Sequence, residues 1–459
     1  MGLQQTFSES SGTHVLMITN HGMHEWTVVP GLPDTGGQNV YVNQFTESLI
    51  KQGYRVTIVN RGGFTHPLTG EPRVGTVYHP TGRARIMYIE DGVPEFVRKE
   101  EMGGHIAGLV ADLESKLEAE QLGHDLIISH YWDAGMIGAA LNDRSSHPVP
   151  HVWVPHSLGA LKKQNMDPAT WEGLRVDERI GFERDLVARI DGAVATSSAI
   201  TESFVADYGI QPAFFLPPCI DVTRYYPRPP EECDGVWDFL DRHSALTATE
   251  IRKHRIVMEI SRSDRTKRKD VVIRAFAGAC ERLPGLMLVI SLDPRSGAVY
   301  EDAMRLISEL GIARNVAVVG SVWDELPCLY AVTSVYCTPS VMEGFGMSAQ
   351  EASASGVPVV ASDLVPFATE YLLGSDPSHV PIDGEFGGRD LLVGEGGIVV
   401  PADDVSGFAQ ALVTLLSDDV YRTEMGQRGL DITVPYFTWE RRTADLLDAL
   451  GVTPRSVRT

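Results

Sequence analysis

From His14 to Val400 the chain alternates short apolar, β-branched runs with longer segments of helical periodicity, and few architectures accept that pattern. The runs His14–Asn20, Arg55–Asn60, Ile86–Ile89, Asp125–Ser129, His151–Pro155 and Ala193–Ser197 read as strands. A second series follows at Ile256–Ile260, Met287–Ser291, Val316–Gly320, Val335–Thr338, Val357–Ala361 and Ile398–Val400. Most are apolar throughout rather than alternating, as strands covered on both faces of a parallel sheet must be. Between them, Asn39–Lys51 sets Tyr41, Phe45 and Leu49 on one helical stripe and stops before Gly53. Strand and helix in alternation mean a doubly wound α/β fold.

The alternation breaks once. Residues 217–230 carry five prolines in 14 positions, which neither a central strand nor a helix interior tolerates. A domain boundary there predicts two Rossmann-like halves, residues 1–220 and 221–436, facing across a cleft. The ligand is expected in that cleft, outside the carboxyl ends of both sheets. Residues 374–396, rich in Gly, Asp and Ser, read as one long loop.

Charge limits the partners. Against 61 acidic residues the 459-residue chain has 39 Lys and Arg, a net charge of −22, which opposes non-specific binding of nucleic acid or an anionic membrane. No apolar run reaches the roughly 18 residues of a membrane span. Met1–Thr13 is polar and acidic, unlike a secretory signal, so the expected location is the cytoplasm. The five cysteines are odd in number, widely spaced and free of Cys-x-x-Cys, which favours reduced core thiols over a disulfide framework or zinc site.

Several segments at expected strand ends carry polar chemistry. Gly36-Gly37-Gln38 lies between the first strand and the helix from Asn39, where backbone N–H groups can meet an anion or polar oxygen. Tyr131-Trp132-Asp133 and Pro155-His156-Ser157-Leu158-Gly159 follow two other strands; His156 is either a hydrogen-bond donor to a ligand or a satisfied structural residue. Lys162, Lys163 and Arg179 form either an anion pocket or a solvated helix face. Five basic residues among Arg262–Lys269 are either a diphosphate clamp or a solvated charge run. In Pro339–Glu351, a strand ends, a glycine-bearing loop turns, and a helix runs from about Met347 to Ser355. Its N-terminus can face a phosphate, while Glu343 and Glu351 can accept hydrogen bonds from sugar hydroxyls.

Taken in order along nearly the whole chain, these segments resemble the retaining glycosyltransferases of GT-B fold that include sucrose synthase and sucrose-phosphate synthase. Glu343 and Glu351 match the family's Glu-x7-Glu signature, Arg262 and Lys267 its diphosphate-binding pair, and Gly36-Gly37-Gln38 its N-terminal loop. Phe437-Thr438-Trp439 looks like the closing segment, so that 437–459 would return to the N-terminal domain. Asp34–Gln38, Ser129–Gly135 and Pro155–Gly159 with Lys162-Lys163 are similar to the sucrose-phosphate and mannosylfructose-phosphate synthase branch.

The resemblance implies transfer of a hexosyl unit, with retention, from a nucleotide-diphosphate sugar such as UDP-glucose to fructose 6-phosphate. His156, Arg262, Lys267 and Glu343 would be catalytic. Gly37, Gly344, Phe345, Gly346, Met347 and Glu351 would bind the donor. Gly36, Gln38, Lys99, Tyr131, Ser157, Lys162 and Arg179 would bind the acceptor. Neither metal nor other cofactor is implied, in keeping with the lack of an Asp-x-Asp dyad at a strand end. Closure about the proline linker would exclude water, and a separate phosphatase would act on the product. Ser291-Leu-Asp-Pro294 and the 374–396 insertion depart from the family pattern, leaving donor base and sugar open. A GDP-mannose-dependent mannosyltransferase acting on fructose 6-phosphate or a glycerate-type acceptor is the alternative enzyme. A sensor of sugar phosphates or nucleotides is the alternative outside catalysis, disfavoured because Arg262, Lys267 and Glu343 are all present.

Overall fold

A computed structural model describes residues 2–10, 12–20, 22–27, 37–164, 168–382 and 389–452. The chain divides into two compact units, Met1–Cys219 with Trp439–Thr459, and Ile220–Thr438.

The first unit holds β1 (His14–Thr19), β2 (Arg55–Arg61), β3 (Thr76–Tyr78), β4 (Ala84–Ile89), β5 (Leu126–His130), β6 (His151–Val154), β7 (Gly192–Ala195) and β8 (Phe214–Phe215). They form one sheet in the order β3-β4-β2-β1-β5-β6-β7-β8, parallel except where β3 joins β4. The apolar runs are continuous because both faces are buried. Val15 and Met17 of β1 enter one core with Phe45 and Leu49, while Leu16 and Ile18 enter another with Leu109 and Leu113. The chain's last described helix, Trp439–Ala449, belongs here: Trp439 stacks on Phe45 at 5.7 Å and its Nε1 donates to Gln44 Oε1 at 2.9 Å.

The second unit holds β9 (Arg255–Glu259), β10 (Leu286–Ser291), β11 (Val316–Val319), β12 (Val335–Thr338), β13 (Val359–Ser362), β14 (Ser378–Pro381), β15 (Asp390–Val393) and β16 (Gly397–Val400). Their order is β11-β10-β9-β12-β13-β16-β15-β14, parallel apart from the last two pairings. Both units are thus doubly wound and Rossmann-like, with chain order reversing beside β1 in the first and beside β9 in the second. The crevice at the carboxyl ends of β1 and β5, or of β9 and β12, is where such sheets bind ligands.

Two expectations need correction. Residues 374–396 are not one long loop, because β14 and β15 pair antiparallel through Val380↔Leu391 and extend the sheet past β16. β14 is largely exposed and ends in Pro381, so an edge strand without a buried apolar row left no signal. Nor are all five cysteines reduced: Cys233 and Cys328 are disulfide-bonded, with Cα atoms 5.3 Å apart across 95 residues. The turn Pro230–Cys233 docks on the helix Leu326–Val332, a contact that cysteine spacing cannot show. Among the described residues, no helix is long and apolar enough to cross a membrane.

Candidate active site

In the first unit, β5 and β6 each run into a residue in a backbone conformation that side chains disfavour. Tyr131 has φ 79° and ψ 169°, and His156 has φ 56°. Non-glycine residues hold such angles at a cost of order 1–3 kcal/mol only where their surroundings over-determine them. Here Tyr131 N–H donates to Val154 O at 2.9 Å, and Trp153 Nε1 donates to Tyr131 O at 3.0 Å. The Tyr131 ring is thereby aimed at the start of the helix Val176–Val187.

Arg179 of that helix is buried and surrounded by acceptors. Its Nε donates to Glu183 Oε1 at 2.7 Å, Nη1 to the Tyr131 hydroxyl at 2.5 Å, and Nη2 to Ser157 Oγ at 3.2 Å and to the Ser157 carbonyl. The guanidinium carbon lies 4.3 Å from the Tyr131 ring centre. Glu183 has no exposed surface and accepts in turn from Gly159 N–H at 2.9 Å and from the Tyr208 hydroxyl. Lys162 Nζ donates to the Tyr131 hydroxyl at 3.3 Å. Lys99, Tyr131, Lys162, Arg175 and Arg179 line a cavity of about 130 Å³, together with Glu100, Glu178 and apolar walls.

Two of the cavity's cations are paired with lining carboxylates, Lys99 with Glu100 at 3.8 Å and Arg175 with Glu178 at 2.8 Å. Desolvation, then the charges of Arg179 and Lys99, push the Lys162 ammonium from 10.5 to about 7. Burial pushes the Tyr131 phenol up to about 12, against the pull of Arg179. An oxyanion in the cavity would meet lysines and an arginine at once.

The remaining candidates of this unit are placed less uniformly. Lys163 points elsewhere, pairing with exposed Asp177 at 2.6 Å over the Trp171 ring, a solvated helix face. Gly37 opens the helix Gly37–Lys51, and Gln38 Nε2 donates to Thr19 Oγ1 at 3.3 Å at the end of β1. Gly36 lies outside the described residues. His156 Nε2 sits 2.9 Å from Nδ1 of His130.

In the second unit, the loops after β9 and β12 meet beside the point where chain order reverses. Asp264 Oδ1 accepts from Thr266 N–H at 2.9 Å, which fixes the turn Arg265–Lys267; Val341 N–H then donates to Thr266 O at 2.8 Å. The outcome is an ion pair, Lys267 Nζ to Glu343 Oε1 at 2.5 Å, with Nζ also 3.4 Å from Met342 O. Lys267 is buried and Glu343 partly so.

Behind Glu343 the backbone turns through Gly344 and Gly346 into the helix Met347–Ala354. Gly346 has φ 106°, and a Cβ there would fall 2.6 Å from Val365 Cγ1, so both conformation and space demand glycine. Glu351, partly buried in that helix, accepts from the Tyr330 hydroxyl at 3.1 Å and from Tyr225. Burial pushes its carboxyl up to about 7.

Two expectations change in this unit. The basic run is not a five-membered clamp. Lys269 is buried against Glu259 and Ser291, and Arg268 pairs with Asp270 and Asp403. Lys267 is the member joined to the Glu343 loop, while the Arg262 side chain is 81% exposed and lies 3.5 Å from Asp264. Phe345 is a core residue: its ring packs at 5.7 Å on Phe367 and on Phe437, leaving only backbone to offer a ligand.

Four partners were missed by motif reading. Glu183 stands at i+4 from Arg179, a spacing that could have exposed it. Tyr225 and Tyr330 reach Glu351 only through the fold, and so does His130 with His156.

Residues 35–224 match the family model Glycosyltransferase Family 4, and residues 247–376 match that of Glycosyl transferases group 1. The chain is 28% identical over 378 residues to mannosylfructose-phosphate synthase of Agrobacterium fabrum, covering 79% of each protein. It is 29% identical over 408 residues to D-inositol 3-phosphate glycosyltransferase of Corynebacterium jeikeium, covering 87% of each. Among solved structures, sucrose-phosphate synthase from Thermosynechococcus elongatus matches with TM-score 0.73 and 22% identity over 96% of this chain and 98% of that one.

Proposed function

We propose that the chain is a hexosyltransferase of the GT-B fold, in the branch of the sucrose-phosphate and mannosylfructose-phosphate synthases, and that it transfers glucose from UDP-glucose to fructose 6-phosphate with retention. The observation that carries the acceptor class is the Lys99–Lys162–Arg179 cavity around Tyr131, a recess lined by four cationic side chains against two carboxylates in a chain of net charge −22. A phosphate fits its chemistry: Arg179 offers a planar fork and Lys162 a point charge. Ser157 and Gln38 supply polar atoms for the sugar that carries the phosphate.

Breaking the glycosyl–phosphate bond places negative charge on the departing diphosphate and positive charge on the sugar ring. Lys267, Arg262 and the N-terminus of the helix Met347–Ala354 stabilise the former without a metal ion. Glu343 holds donor sugar hydroxyls beside Lys267, and Glu351 holds the ribose. Attack comes from the face the leaving group departs, so the released phosphate oxygen takes the acceptor's proton and no side chain serves as nucleophile. His156 hydrogen-bonds the donor sugar.

The mannosylfructose-phosphate synthase relative favours a mannosyl donor, with GDP-mannose the alternative to test, and the inositol 3-phosphate relative favours one alternative acceptor in the same recess. A matrix of UDP-glucose, ADP-glucose and GDP-mannose against fructose 6-phosphate, D-inositol 3-phosphate and 3-phosphoglycerate, read by mass spectrometry with and without EDTA, tests the proposal. A glucosyl-fructose phosphate formed from UDP-glucose, insensitive to EDTA, is the expected product. Transfer only from GDP-mannose, or only to inositol phosphate, replaces the specific reading; no transfer in any cell of the matrix overturns it.

A further inference from the structure

His130 closes β5, is fully buried, and has no part in the mechanism above. Its Nδ1 lies 2.9 Å from His156 Nε2, and the two rings stack at 26° with centroids 5.1 Å apart. Tyr41 stands edge-on to both, at 4.8 Å from His156 and 5.9 Å from His130. Tyr41 is held by donating its hydroxyl to Leu216 O at 3.1 Å and by Trp439 at 4.8 Å. The imidazole pair therefore cannot swing apart without disturbing a packed aromatic cluster.

The protons in this pair can be assigned. Burial, reinforced by His156 and His24, pushes the pKa of His130 well below its ordinary value, so the ring is neutral. His24 does not compete for the bond: its Nε2 lies 2.9 Å from Asn43 Oδ1 and its Nδ1 3.3 Å from Asn39 Nδ2, one donating and one accepting. Across the His130–His156 contact one nitrogen donates and the other accepts. His130 Nε2 is buried without a hydrogen-bond partner among the described residues. A proton there would be an orphaned buried N–H, whereas a bare ring nitrogen is a less costly omission. The proton of His130 accordingly resides on Nδ1 and is donated to His156 Nε2, which leaves the proton of His156 on its own Nδ1.

We infer that His130 is a positioning residue that locks His156 in the Nδ1–H tautomer, so that His156 meets the donor sugar as a hydrogen-bond donor at Nδ1 and cannot act as a base through Nε2. The tautomer follows from the imidazole pair alone; its use on the sugar rests on the function proposed above.

Long-range proton–nitrogen correlation spectra of the nitrogen-15-labelled chain read the tautomer directly, with a His156→Gln variant to assign the signals. Expected is a protonated Nδ1 and bare Nε2 on His156, kept in His130→Asn, whose amide N–H replaces Nδ1–H, and lost in His130→Leu. In transfer assays His130→Leu should lower kcat by between about 10- and 100-fold with acceptor KM unchanged, and His130→Asn should restore most of that loss. A wild-type His156 protonated on Nε2 overturns the inference. So does a rate loss in His130→Leu with the tautomer unchanged, or a changed tautomer with the rate unchanged. Should His130→Leu not fold, the wild-type and His130→Asn spectra still decide. Because the spectra need no substrate, failure of the donor and acceptor assignment is distinguishable from failure of the tautomer assignment.

Discussion

Binding of a sugar phosphate should draw a proton from solution onto Lys162. In the ligand-free protein its ammonium has a pKa of about 7 rather than 10.5, because it is desolvated and faces Arg179 and Lys99. A phosphate dianion against Nζ removes that penalty and returns the group towards 10.5. At pH 8 the unliganded lysine then carries about 0.1 proton and the liganded one about 1, an uptake of about 0.9 per site. The ligand does not mask this, since a phosphate monoester with second pKa near 6 is already dianionic at pH 8. Tyr131, held near 12, stays protonated throughout. Proton uptake on binding means affinity falls as pH rises; integrated from pH 7 to pH 9, the loss is about 50-fold. Titration calorimetry with fructose 6-phosphate at pH 8, in buffers of different ionisation enthalpy, gives the uptake as the slope of apparent enthalpy against buffer enthalpy. A slope near 0.9 that vanishes in Lys162→Met is expected. A slope near zero in the wild type, or one unchanged by the substitution, would mean that Lys162 takes up no proton when the phosphate binds.

Other outcomes follow from single contacts. Arg179→Ala strands the fully buried Glu183 carboxylate, so urea unfolding should show a loss of about 3–5 kcal/mol along with lost acceptor binding. Lys267→Ala and Glu343→Gln should each lower kcat by about 10²-fold or more with acceptor KM little changed, measured by initial rates. Gly346→Ala forces a Cβ onto Val365 at a left-handed position and should cost about 1–3 kcal/mol by denaturant titration. Thiol titration of the unfolded, unreduced chain should count three thiols, Cys219, Cys280 and Cys337; a count of five would contradict the Cys233–Cys328 bond.

What the amino-acid sequence disclosed follows from burial. Strands such as β1 and β10 are covered on both faces and announce themselves as unbroken apolar runs, so both sheets were legible to within two residues at most strand ends. β3, β8, β14 and β15 were not, being short, edge-placed or half-exposed. In the candidate site, Lys267 and Glu343 could be picked out separately because each follows a strand end. That Lys267 binds Glu343 while neighbouring Lys269 turns inward to Glu259 depends on helical phase after a turn, which charge spacing cannot settle. Arg179 was legible as a cation but not as the centre of a buried network, and His130 looked like the end of a strand. Partnership between distant residues is a property of topology.

On the proposed function, the Lys99–Lys162–Arg179 recess reads a phosphate on the acceptor. This is measured most directly as the ratio of kcat/KM for fructose 6-phosphate to that for fructose, in the wild type and in Lys162→Ala. Expected is a wild-type ratio of about 10³ or more, falling at least tenfold in the variant, since each charge-assisted contact contributes about 1.5–3 kcal/mol. Equal use of the two sugars by the wild type, or a ratio that Lys162→Ala leaves intact, would contradict phosphate recognition there.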